Sequence, residues 1–335
     1  MDLIDAQSFQ RRPDFTETAP IVNLVIPCYN EQEVLPETVS RLIALLSAMK
    51  AQGLVAPASS AYLVDDGSRD RTWAMIEQFA AEHREICGIK QSRNRGHQNA
   101  LLCGLMSVGG DALISLDADL QDDLAAIPEM VTRFRAGDEV VFGVRRRRDK
   151  DSAFKRVTAE GYYKLLHALG VEVVFNHADY RLLGRRPLEA LRGFRESHLF
   201  LRGLALQLGY RQGTVEFDRA ERFAGESKYP LSKMLSLAWQ GVTSFSAYPL
   251  RLITGAGALV SGLSLALAVW ALVVRTLTDD ALPGWASTVI PMYFLGGVQL
   301  LSLGVIGEYL AKVYEASKER PRFNVESICG AWSQS

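Results

Sequence analysis

Short apolar runs alternate with stretches of helical periodicity through the N-terminal half of the chain. Five of the runs have the length of buried strands: Ile21–Ile26, Ala61–Val64, Ile86–Ile89, Ala112–Leu116 and Val140–Val144. After the first run, apolar residues recur every three or four positions and predict a helix; they are Leu35, Val39, Leu42, Leu46 and Met49. We expect Pro27 to end the first strand. The alternation predicts an α/β domain over residues 21–218, with a mostly parallel sheet and helices on both faces.

Two apolar runs near the C-terminus contain no charged residue. They extend from Leu252 to Val274 and from Trp285 to Gly307. Each exceeds the about 20 residues that cross the hydrocarbon core of a bilayer, so we predict transmembrane helices at 251–275 and 285–311. The outer ends of the pair carry several basic residues: Arg251, Lys312, Lys318, Arg320 and Arg322. By contrast, the connection between the two spans, 276–284, has only one basic residue beside it, Arg275.

Because basic residues accumulate on the cytosolic side, this charge pattern orients the pair of spans. It predicts a multi-pass protein of the inner or plasma membrane, with the α/β domain and both termini in the cytosol and 276–284 outside it. Residues 219–250 precede the first span and combine lysines with leucines and Trp239. We interpret them as an acceptor loop and an amphipathic helix on the membrane surface; a helix of the protein core is the alternative.

Composition and charge narrow the function only slightly. The formal net charge is −1, which gives no general attraction to nucleic acid, and we expect no nucleic-acid partner. The basic run Arg145–Arg148 is typical of a solvated loop or of a contact with lipid headgroups. The four cysteines lack a metal-binding spacing and are expected to be reduced thiols. We expect a flexible tail at 1–20, which is not a signal peptide, and a cytosolic tail at 312–335.

The main candidate for chemistry is the acidic segment after the fourth predicted strand. Asp117 and Asp119 leave the carboxyl end of that strand together, at the edge where parallel sheets bind ligands. Two carboxylates so placed could share Mg²⁺ or Mn²⁺, which prefer oxygen ligands. An Asp-rich segment after a strand is also typical of a solvated turn or a helix cap. The pattern alone leaves both interpretations open.

Polar residues follow two further predicted strands. Asp65 and Asp66 end the second strand, and a loop containing Asn94 and Gln98 follows the third. Because these segments meet at one edge of the sheet, they suggest a pocket for a nucleoside diphosphate. Capping of the strand ends is the alternative for any one of them. The chain has no Gly-rich dinucleotide fingerprint and no P-loop, so neither type of nucleotide site is supported.

Six motifs carry a resemblance to a known family. Four of them resemble, in order, the motifs of family 2 glycosyltransferases with the GT-A (Rossmann-like) fold: Pro27–Glu31, Val64–Ser68, Asn94–His97 and Asp117–Asp122. Two more, Asn176–Leu182 and Arg222–Pro230, are similar to polyprenyl-phosphate glycosyltransferases. These include bactoprenol glucosyl- and N-acetylglucosaminyltransferases and dolichyl-phosphate mannose synthases. The resemblance extends over roughly residues 21–321.

The resemblance implies roles at the matching positions. Residues implied to bind the nucleotide are Pro27, Tyr29, Glu31, Asp66, Ser68 and Asp117, to which the loop after the third strand adds Asn94 and Gln98. The metal and diphosphate are implied to be held by Asp117, Asp119 and Gln121. Asp179 is implied to orient the sugar or to accept a proton; a buried salt bridge to Arg181 is the alternative. Asn176–Asp179 is more like the bacterial branch associated with glucose or N-acetylglucosamine.

An acceptor phosphate is an anionic nucleophile that needs cationic groups to position it. The candidates are Arg145, Arg156, Arg222 and Lys228, since guanidinium groups bind phosphate through two hydrogen bonds. Among all these residues, we expect Asp119, Asp179 and Arg222 to act directly in catalysis.

The sequence thus predicts an inverting, metal-dependent glycosyltransferase. It is expected to move glucose or N-acetylglucosamine from a UDP-sugar to undecaprenyl or another polyprenyl phosphate at the cytosolic face of the bilayer. Alternatives are a GDP-mannose-dependent polyprenyl-phosphate mannosyltransferase and a non-catalytic membrane scaffold that binds sugar nucleotides. By family analogy the chain could form a homo-oligomer, such as a tetramer.

Overall fold

A computed structural model describes residues 15, 18–146, 177–194, 201, 208–218, 248–277 and 285–331 of the chain. The described part contains eight strands, which are β1 (Val22–Cys28), β2 (Ala61–Asp65), β3 (Ile86–Gln91), β4 (Ala112–Ser115), β5 (Val140–Arg145), β6 (His177–Gly184), β7 (Gln212–Phe217) and β8 (Val325–Cys329). It also contains seven α-helices, which are α1 (Leu35–Ala51), α2 (Thr72–Glu82), α3 (His97–Ser107), α4 (Ile127–Arg135), α5 (Arg185–Arg192), α6 (Tyr248–Leu277) and α7 (Trp285–Ser317).

All eight strands form one sheet in the order β7-β5-β6-β4-β1-β2-β3-β8. The pairs β1–β2, β1–β4, β2–β3 and β5–β7 are parallel, whereas β6 and β8 run antiparallel to their neighbours. The predicted α/β fold with a central sheet is therefore confirmed, and the sheet is mixed, with four parallel and three antiparallel pairs among the described strands. β6 enters between β4 and β5, so two strands that the sequence pattern placed in succession are separated by an antiparallel one.

The core of this domain forms where helices cover the sheet. In α1, the apolar positions at helical spacing are fully buried, and they include Leu42, Leu46 and Met49. β1 is buried along its whole length, as a strand between two helical layers must be. Pro36 lies in the first turn of α1, where its missing N–H costs no hydrogen bond. The pattern of apolar residues thus accounts for the helices and strands that support the candidate site.

The first strand continues past Pro27, contrary to our expectation. β1 ends at Cys28, and Pro27 pairs with Val64 in the parallel register of β1 and β2. Proline keeps its carbonyl group and has a backbone conformation that fits a strand, so it removes only one donor from the ladder. The strand is extended further by a hydrogen bond from the backbone N–H of Asp66 to the carbonyl oxygen of Cys28, at 2.9 Å.

Part of the segment predicted as a cytosolic tail, 312–335, forms a strand of the central sheet. β8 pairs antiparallel with β3, and Gly88 lies opposite Cys329. Next to this pairing, the backbone N–H of Ser92 donates to the carbonyl oxygen of Asn324 at 3.0 Å. The short alternating pattern of β8 gave little signal in the sequence, and its exposed residues confirm that it lies at the edge of the sheet.

The predicted tail at 1–20 is also anchored at one residue that the structure describes. Phe15 is buried against Phe134, with ring centroids 5.3 Å apart. The guanidinium of Arg135 donates to the carbonyl oxygen of Phe15 at 3.0 Å. A single aromatic residue can thus attach a polar segment to the core.

The chain divides into two compact units, and the second includes residues 229–319. Its described part consists of α6 and α7, which coincide with the two predicted spans. Within the described residues, the segment of α7 from Phe294 to Ser317 is long and apolar enough to cross a membrane, with a mean hydropathy of 1.4. No other described helix meets both conditions. The amphipathic helix predicted in 219–250 lies almost entirely outside the described residues.

All four cysteines are free thiols, as the sequence predicts. Burial is the main cause that raises the pKa of Cys28 well above its ordinary value, and burial likewise raises the pKa of Cys103 to about 12. Cys87 and Cys329 belong to the paired strands β3 and β8, and burial raises the pKa of both. At neutral pH these side chains are protonated and behave as small apolar groups.

Candidate active site

The loops after β1 and β2 are joined by reciprocal hydrogen bonds. The backbone N–H of Asn30 donates to the hydroxyl of Ser68 at 3.0 Å, and that of Arg69 donates to the side-chain oxygen of Asn30 at 2.9 Å. One residue further on, the N–H of Glu31 donates to the hydroxyl of Thr72 at 2.9 Å. These bonds fix the start of α1 against the start of α2. Of the neighbouring residues predicted to bind nucleotide, Pro27 is buried in β1 and Tyr29, just after it, is exposed.

Asp66 connects this pair of loops to the loop between β3 and α3. Its two carboxylate oxygens accept hydrogen bonds from the backbone N–H groups of Arg95 and Gly96, both at 2.8 Å. Burial raises the pKa of Asp66, while these two bonds act in the opposite direction. A carboxylate that satisfies two adjacent backbone donors fixes the path of the chain between them.

The same two loops approach closely at Gly67, whose φ is +68°. A Cβ atom at this position would lie 2.7 Å from the backbone nitrogen of Asn94, which is too close for any side chain. Only glycine fits both the left-handed conformation and the contact. Asn94 itself is exposed, and its role in nucleotide binding stays a prediction.

The acidic segment begins directly after β4. Asp117 is about one-third exposed, with 37% of its side chain accessible, while Ala118 between the two aspartates is buried. The hydroxyl of Thr38 in α1 lies 2.9 Å from the carbonyl oxygen of Ala118 and holds the backbone there. Asp119 accepts a hydrogen bond from the backbone N–H of Gln121 at 3.2 Å, which closes a tight turn around Leu120, whose φ is +58°.

A third carboxylate, Asp122, lies beneath this turn. Its side chain accepts a hydrogen bond from the backbone N–H of Asp117 at 3.3 Å. Burial, followed by the negative charge of Asp117, raises the pKa of Asp122 to about 7; the charge of Asp119 adds to this, and Arg145 opposes it. Arg145, at the end of β5, therefore lies close enough to the acidic segment to affect its charges. This position is compatible with the predicted role of Arg145 in binding the acceptor phosphate.

Asp179 lies close to Asp117 because β6 runs antiparallel to β4. Ser115 is opposite Arg181 in that register, and the hydroxyl of Ser115 donates to the carbonyl oxygen of Asp179. The Asp179 carboxylate also accepts a hydrogen bond from the guanidinium of Arg181, at 2.8 Å, and both side chains are buried. The buried salt bridge that the sequence left as an alternative is present.

Two residues of the first turn of α3 point to the same carboxylates. The side-chain N–H of Gln98 donates to Asp179 at 3.2 Å, so Gln98, predicted to bind nucleotide, contacts the catalytic candidate instead. The Nε2 atom of His97 lies 3.5 Å from Asp117 and 3.7 Å from Asp179. We did not predict a role for His97, although its position directly after a strand-to-helix loop with a glycine was a signal that could have identified it.

The remaining predicted residues divide into two groups. Arg156, Arg222 and Lys228 lie outside the described residues, and their assignments stay predictions. In the basic run, Arg146 forms ion pairs with Glu216 and Asp218 at 3.5 and 3.2 Å, on an exposed surface. Arg147 and Arg148 are not described.

The acidic segment has the chemical character of a site for a hard cation. Asp117 and Asp119 follow the carboxyl end of β4 and are partly exposed, and their charges raise the pKa of Asp122. A divalent cation would offset this excess of negative charge. Among the described residues, no three His, Cys, Asp or Glu side chains converge to hold a metal by themselves. Asp117, Asp119 and Gln121 fit a cation site that a further ligand such as a diphosphate completes, and their assignment to that site stays a prediction.

Comparison with known sequences points to one family. Residues 23–192 match the family model described as glycosyl transferase family 2. The chain is 42% identical over 312 residues to the uncharacterized glycosyltransferase YkoT of Bacillus subtilis (strain 168), with 92% of each chain covered. It is 34% identical over 307 residues to the bactoprenol glucosyl transferase of Shigella phage SfV, with 91% of this chain and 98% of the phage protein covered.

Comparison with solved structures finds a similar chain in the mannosyltransferase PcManGT from Pyrobaculum calidifontis, in complex with GDP-Man and Mn²⁺. The alignment covers 92% of this chain and 88% of the other, at 20% sequence identity and a TM-score of 0.46.

Proposed function

The chain belongs to the family 2 glycosyltransferases, and we propose that it transfers a single sugar from a UDP-sugar to a membrane polyprenyl phosphate. The observation that carries this proposal is the match over almost the whole chain to a bactoprenol glucosyl transferase. A relative that matches only in the catalytic domain would suggest the reaction but not the lipid acceptor. Here the similarity extends over the apolar helices as well.

The site supports a transfer in which the acceptor phosphate is the nucleophile. Its oxygen forms a bond to the anomeric carbon while the bond to UDP breaks, and UDP leaves with the bonding electrons. Attack from the face opposite the leaving group inverts the anomeric configuration. Mg²⁺ or Mn²⁺ held by Asp117, Asp119 and Gln121 would stabilise the charge of the departing diphosphate.

The roles of individual residues follow from the contacts described above. Asp66 and Ser68 organise the loops that we propose surround the nucleoside, together with Pro27, Tyr29 and Glu31. The Asp179 carboxylate accepts a hydrogen bond from the buried guanidinium of Arg181 at 2.8 Å, and this contact fixes its position. We therefore propose that Asp179 orients the sugar through hydrogen bonds.

We propose that cationic side chains position the acceptor phosphate. Arg145 is supported by its electrostatic effect at the acidic segment. Arg156, Arg222 and Lys228 are proposed from the sequence alone. Arg222→Ala is expected to weaken binding of the polyprenyl phosphate more than binding of the UDP-sugar. A defect confined to UDP-sugar binding would show that Arg222 does not position the acceptor.

The course of the chain supports two membrane crossings. β8 follows α7 in the sequence, yet it pairs with β3 in the same sheet as the N-terminal strands. A chain that leaves this domain, enters a membrane and returns to the same sheet must cross an even number of times. Since α7 contains one apolar stretch of sufficient length, we propose that α6 forms the second span. The proposed topology is multi-pass, with the catalytic domain in the cytosol.

The experiment that tests this function uses the full-length protein in membranes or detergent, with undecaprenyl phosphate as the acceptor. Radiolabelled UDP-glucose, UDP-N-acetylglucosamine, UDP-galactose and GDP-mannose are compared as donors in the presence of Mn²⁺. We expect a labelled lipid product from UDP-glucose or UDP-N-acetylglucosamine, with UDP release that depends on added lipid. A product formed only from GDP-mannose would support the mannosyltransferase alternative. Binding of UDP-sugar without any turnover would support a scaffold.

A further inference from the structure

One imidazole lies between the two carboxylates on which the proposed reaction depends. His97 Nε2 is 3.5 Å from Asp117 Oδ1 and 3.7 Å from Asp179 Oδ2. These carboxylates come from different strands, β4 and β6, and have different environments. Asp117 is partly exposed beside the predicted metal, whereas only 5% of the Asp179 side chain is accessible. His97 is the shared neighbour of both.

The chemistry of the three groups fixes the direction of these contacts. An ionised carboxylate only accepts hydrogen bonds, so the contacts are attractive when Nε2 carries its hydrogen. Gln98, the next residue, donates to the same oxygen of Asp179, at 3.2 Å. The first turn of α3 thus places two consecutive polar side chains next to a pair of carboxylates.

The backbone that leads to His97 is itself held in place. Gly96 precedes it with a φ of +87°, a conformation that glycine adopts readily. The N–H of Gly96 donates to Asp66 at 2.8 Å, and Asp66 is one of the residues proposed to surround the nucleoside. Asp66 thus holds the backbone at Gly96, and the next residue, His97, contacts the two carboxylates.

We propose that His97 is a positioning residue for sugar transfer. It holds Asp117, proposed to bind the metal and diphosphate, at a fixed separation from Asp179, proposed to orient the sugar. This inference rests on the proposed function, which assigns those two roles. His97 acts through Asp117 and Asp179 and does not itself contact the reacting atoms. Loss of the imidazole N–H leaves Asp117 in several rotamers and weakens its hold on the cation.

The test compares His97→Ala and His97→Gln with His83→Ala, a control at the C-terminal end of α2, outside the site. For His97→Ala we expect a fall in kcat of about 10- to 100-fold, the usual effect of losing a group that orients a metal ligand. His97→Gln retains an N–H donor and is expected to recover most of that loss. His83→Ala should match the wild type. Thermal unfolding of each metal-free variant shows whether the fold is intact.

A second readout does not depend on turnover. Mn²⁺ binding is measured by electron paramagnetic resonance on detergent-solubilised protein with saturating UDP. We expect the dissociation constant for Mn²⁺ to rise about tenfold in His97→Ala, and less in His97→Gln. An unchanged constant in both variants would overturn the proposal. A loss of thermal stability in His97→Gln that parallels its loss of transfer would also overturn it, since the residue would then support only the fold.

A double variant tests whether His97 acts through Asp117. If it does, His97→Ala combined with Asp117→Asn should bind Mn²⁺ no more weakly than Asp117→Asn alone. Independent losses that multiply would show that His97 does not act through Asp117. If the wild-type protein transfers no sugar at all, the proposed function fails, whereas the Mn²⁺ measurement still decides whether His97 positions Asp117.

Discussion

The guanidinium of Arg181 donates a hydrogen bond to the carboxylate of Asp179 at 2.8 Å, and both side chains are almost completely buried. Arg181 also donates to the carbonyl oxygen of Leu201 at 2.7 Å. A buried charge pair of this kind is weak evidence for added stability, because removing two charges from water is costly. Its geometry instead fixes the position of a carboxylate beside Asp117, which a free aspartate at a strand end would not achieve.

Replacement of Arg181 by methionine is expected to destabilise the protein by about 3–5 kcal/mol, because it removes the guanidinium that balances the buried charge of Asp179. Thermal unfolding in detergent measures this effect. Arg192→Met, at an exposed ion pair with Glu189, is the control and should unfold like the wild type. Adding Asp179→Asn to Arg181→Met removes this buried charge and should restore part of the loss. An unfolding temperature unaffected by Arg181→Met would contradict this account of the pair.

Asp66→Asn is expected to weaken binding of UDP by about tenfold, the equivalent of about 1.4 kcal/mol. An asparagine keeps the shape but replaces one acceptor oxygen with a donor, which faces the N–H of Arg95 or Gly96. The loop between β3 and α3 should then shift. Isothermal titration with UDP and Mn²⁺ measures the change, and Glu82→Gln, on the exposed surface of α2, is the comparison. Equal affinity in the two variants would mean that Asp66 is not needed to order the nucleotide site.

Asp119→Ala should abolish Mn²⁺-dependent transfer while the protein remains inserted in the membrane. The reason is that the proposed cation loses one of its two carboxylate ligands, and chelation of metal from the wild type should have the same effect. UDP release with added undecaprenyl phosphate measures transfer, and carbonate extraction measures insertion. The neighbouring Asp123→Ala removes only a cap at the N–H of Ala125, at a cost of about 1 kcal/mol. If Asp119→Ala keeps normal turnover, the metal assignment is wrong.

Truncation after Glu319 removes β8 and exposes β3, and alkylation of Cys87 reports this directly. In the intact protein, burial raises the pKa of Cys87, and its thiol donates to the carbonyl oxygen of Ala331. At pH 7.5 the thiol is therefore protonated and slow to react. Without β8 its pKa falls back toward the ordinary value, the thiolate fraction at that pH rises, and labelling by maleimide should accelerate.

Truncation after Ala331 keeps the strand and serves as the matched control. Cys28 and Cys103 are buried away from β8 and act as internal standards, which should stay protected in both proteins. Mass spectrometry of the labelled peptides separates the three sites. Equal labelling of Cys87 in the two truncated proteins would show that β8 does not protect this edge of the sheet.

Much of the fold follows from local patterns in the sequence. The apolar runs predict β1 to β5 within one or two residues, since a strand buried on both faces is continuously apolar. The motifs at the strand ends predicted that Asp66, Asp117 and Asp119 follow the carboxyl ends of strands, and the structure places them after β2 and β4. The length of the two uncharged runs near the C-terminus was sufficient to predict the positions of α6 and α7.

Long-range pairing decided what the sequence could not. The antiparallel insertion of β6 between β4 and β5 places Asp179 and its partner Arg181 next to Asp117, although more than sixty residues separate them along the chain. Nothing in a short strand specifies which distant edge it joins. The same holds for β8, a partly exposed strand whose place beside β3 depends on an edge left open by the rest of the sheet. His97 acquires its two carboxylate neighbours only through that assembly. Local composition determined the elements and the ends of the strands, and tertiary pairing determined which side chains meet, because contacts between distant segments depend on the geometry of the whole sheet.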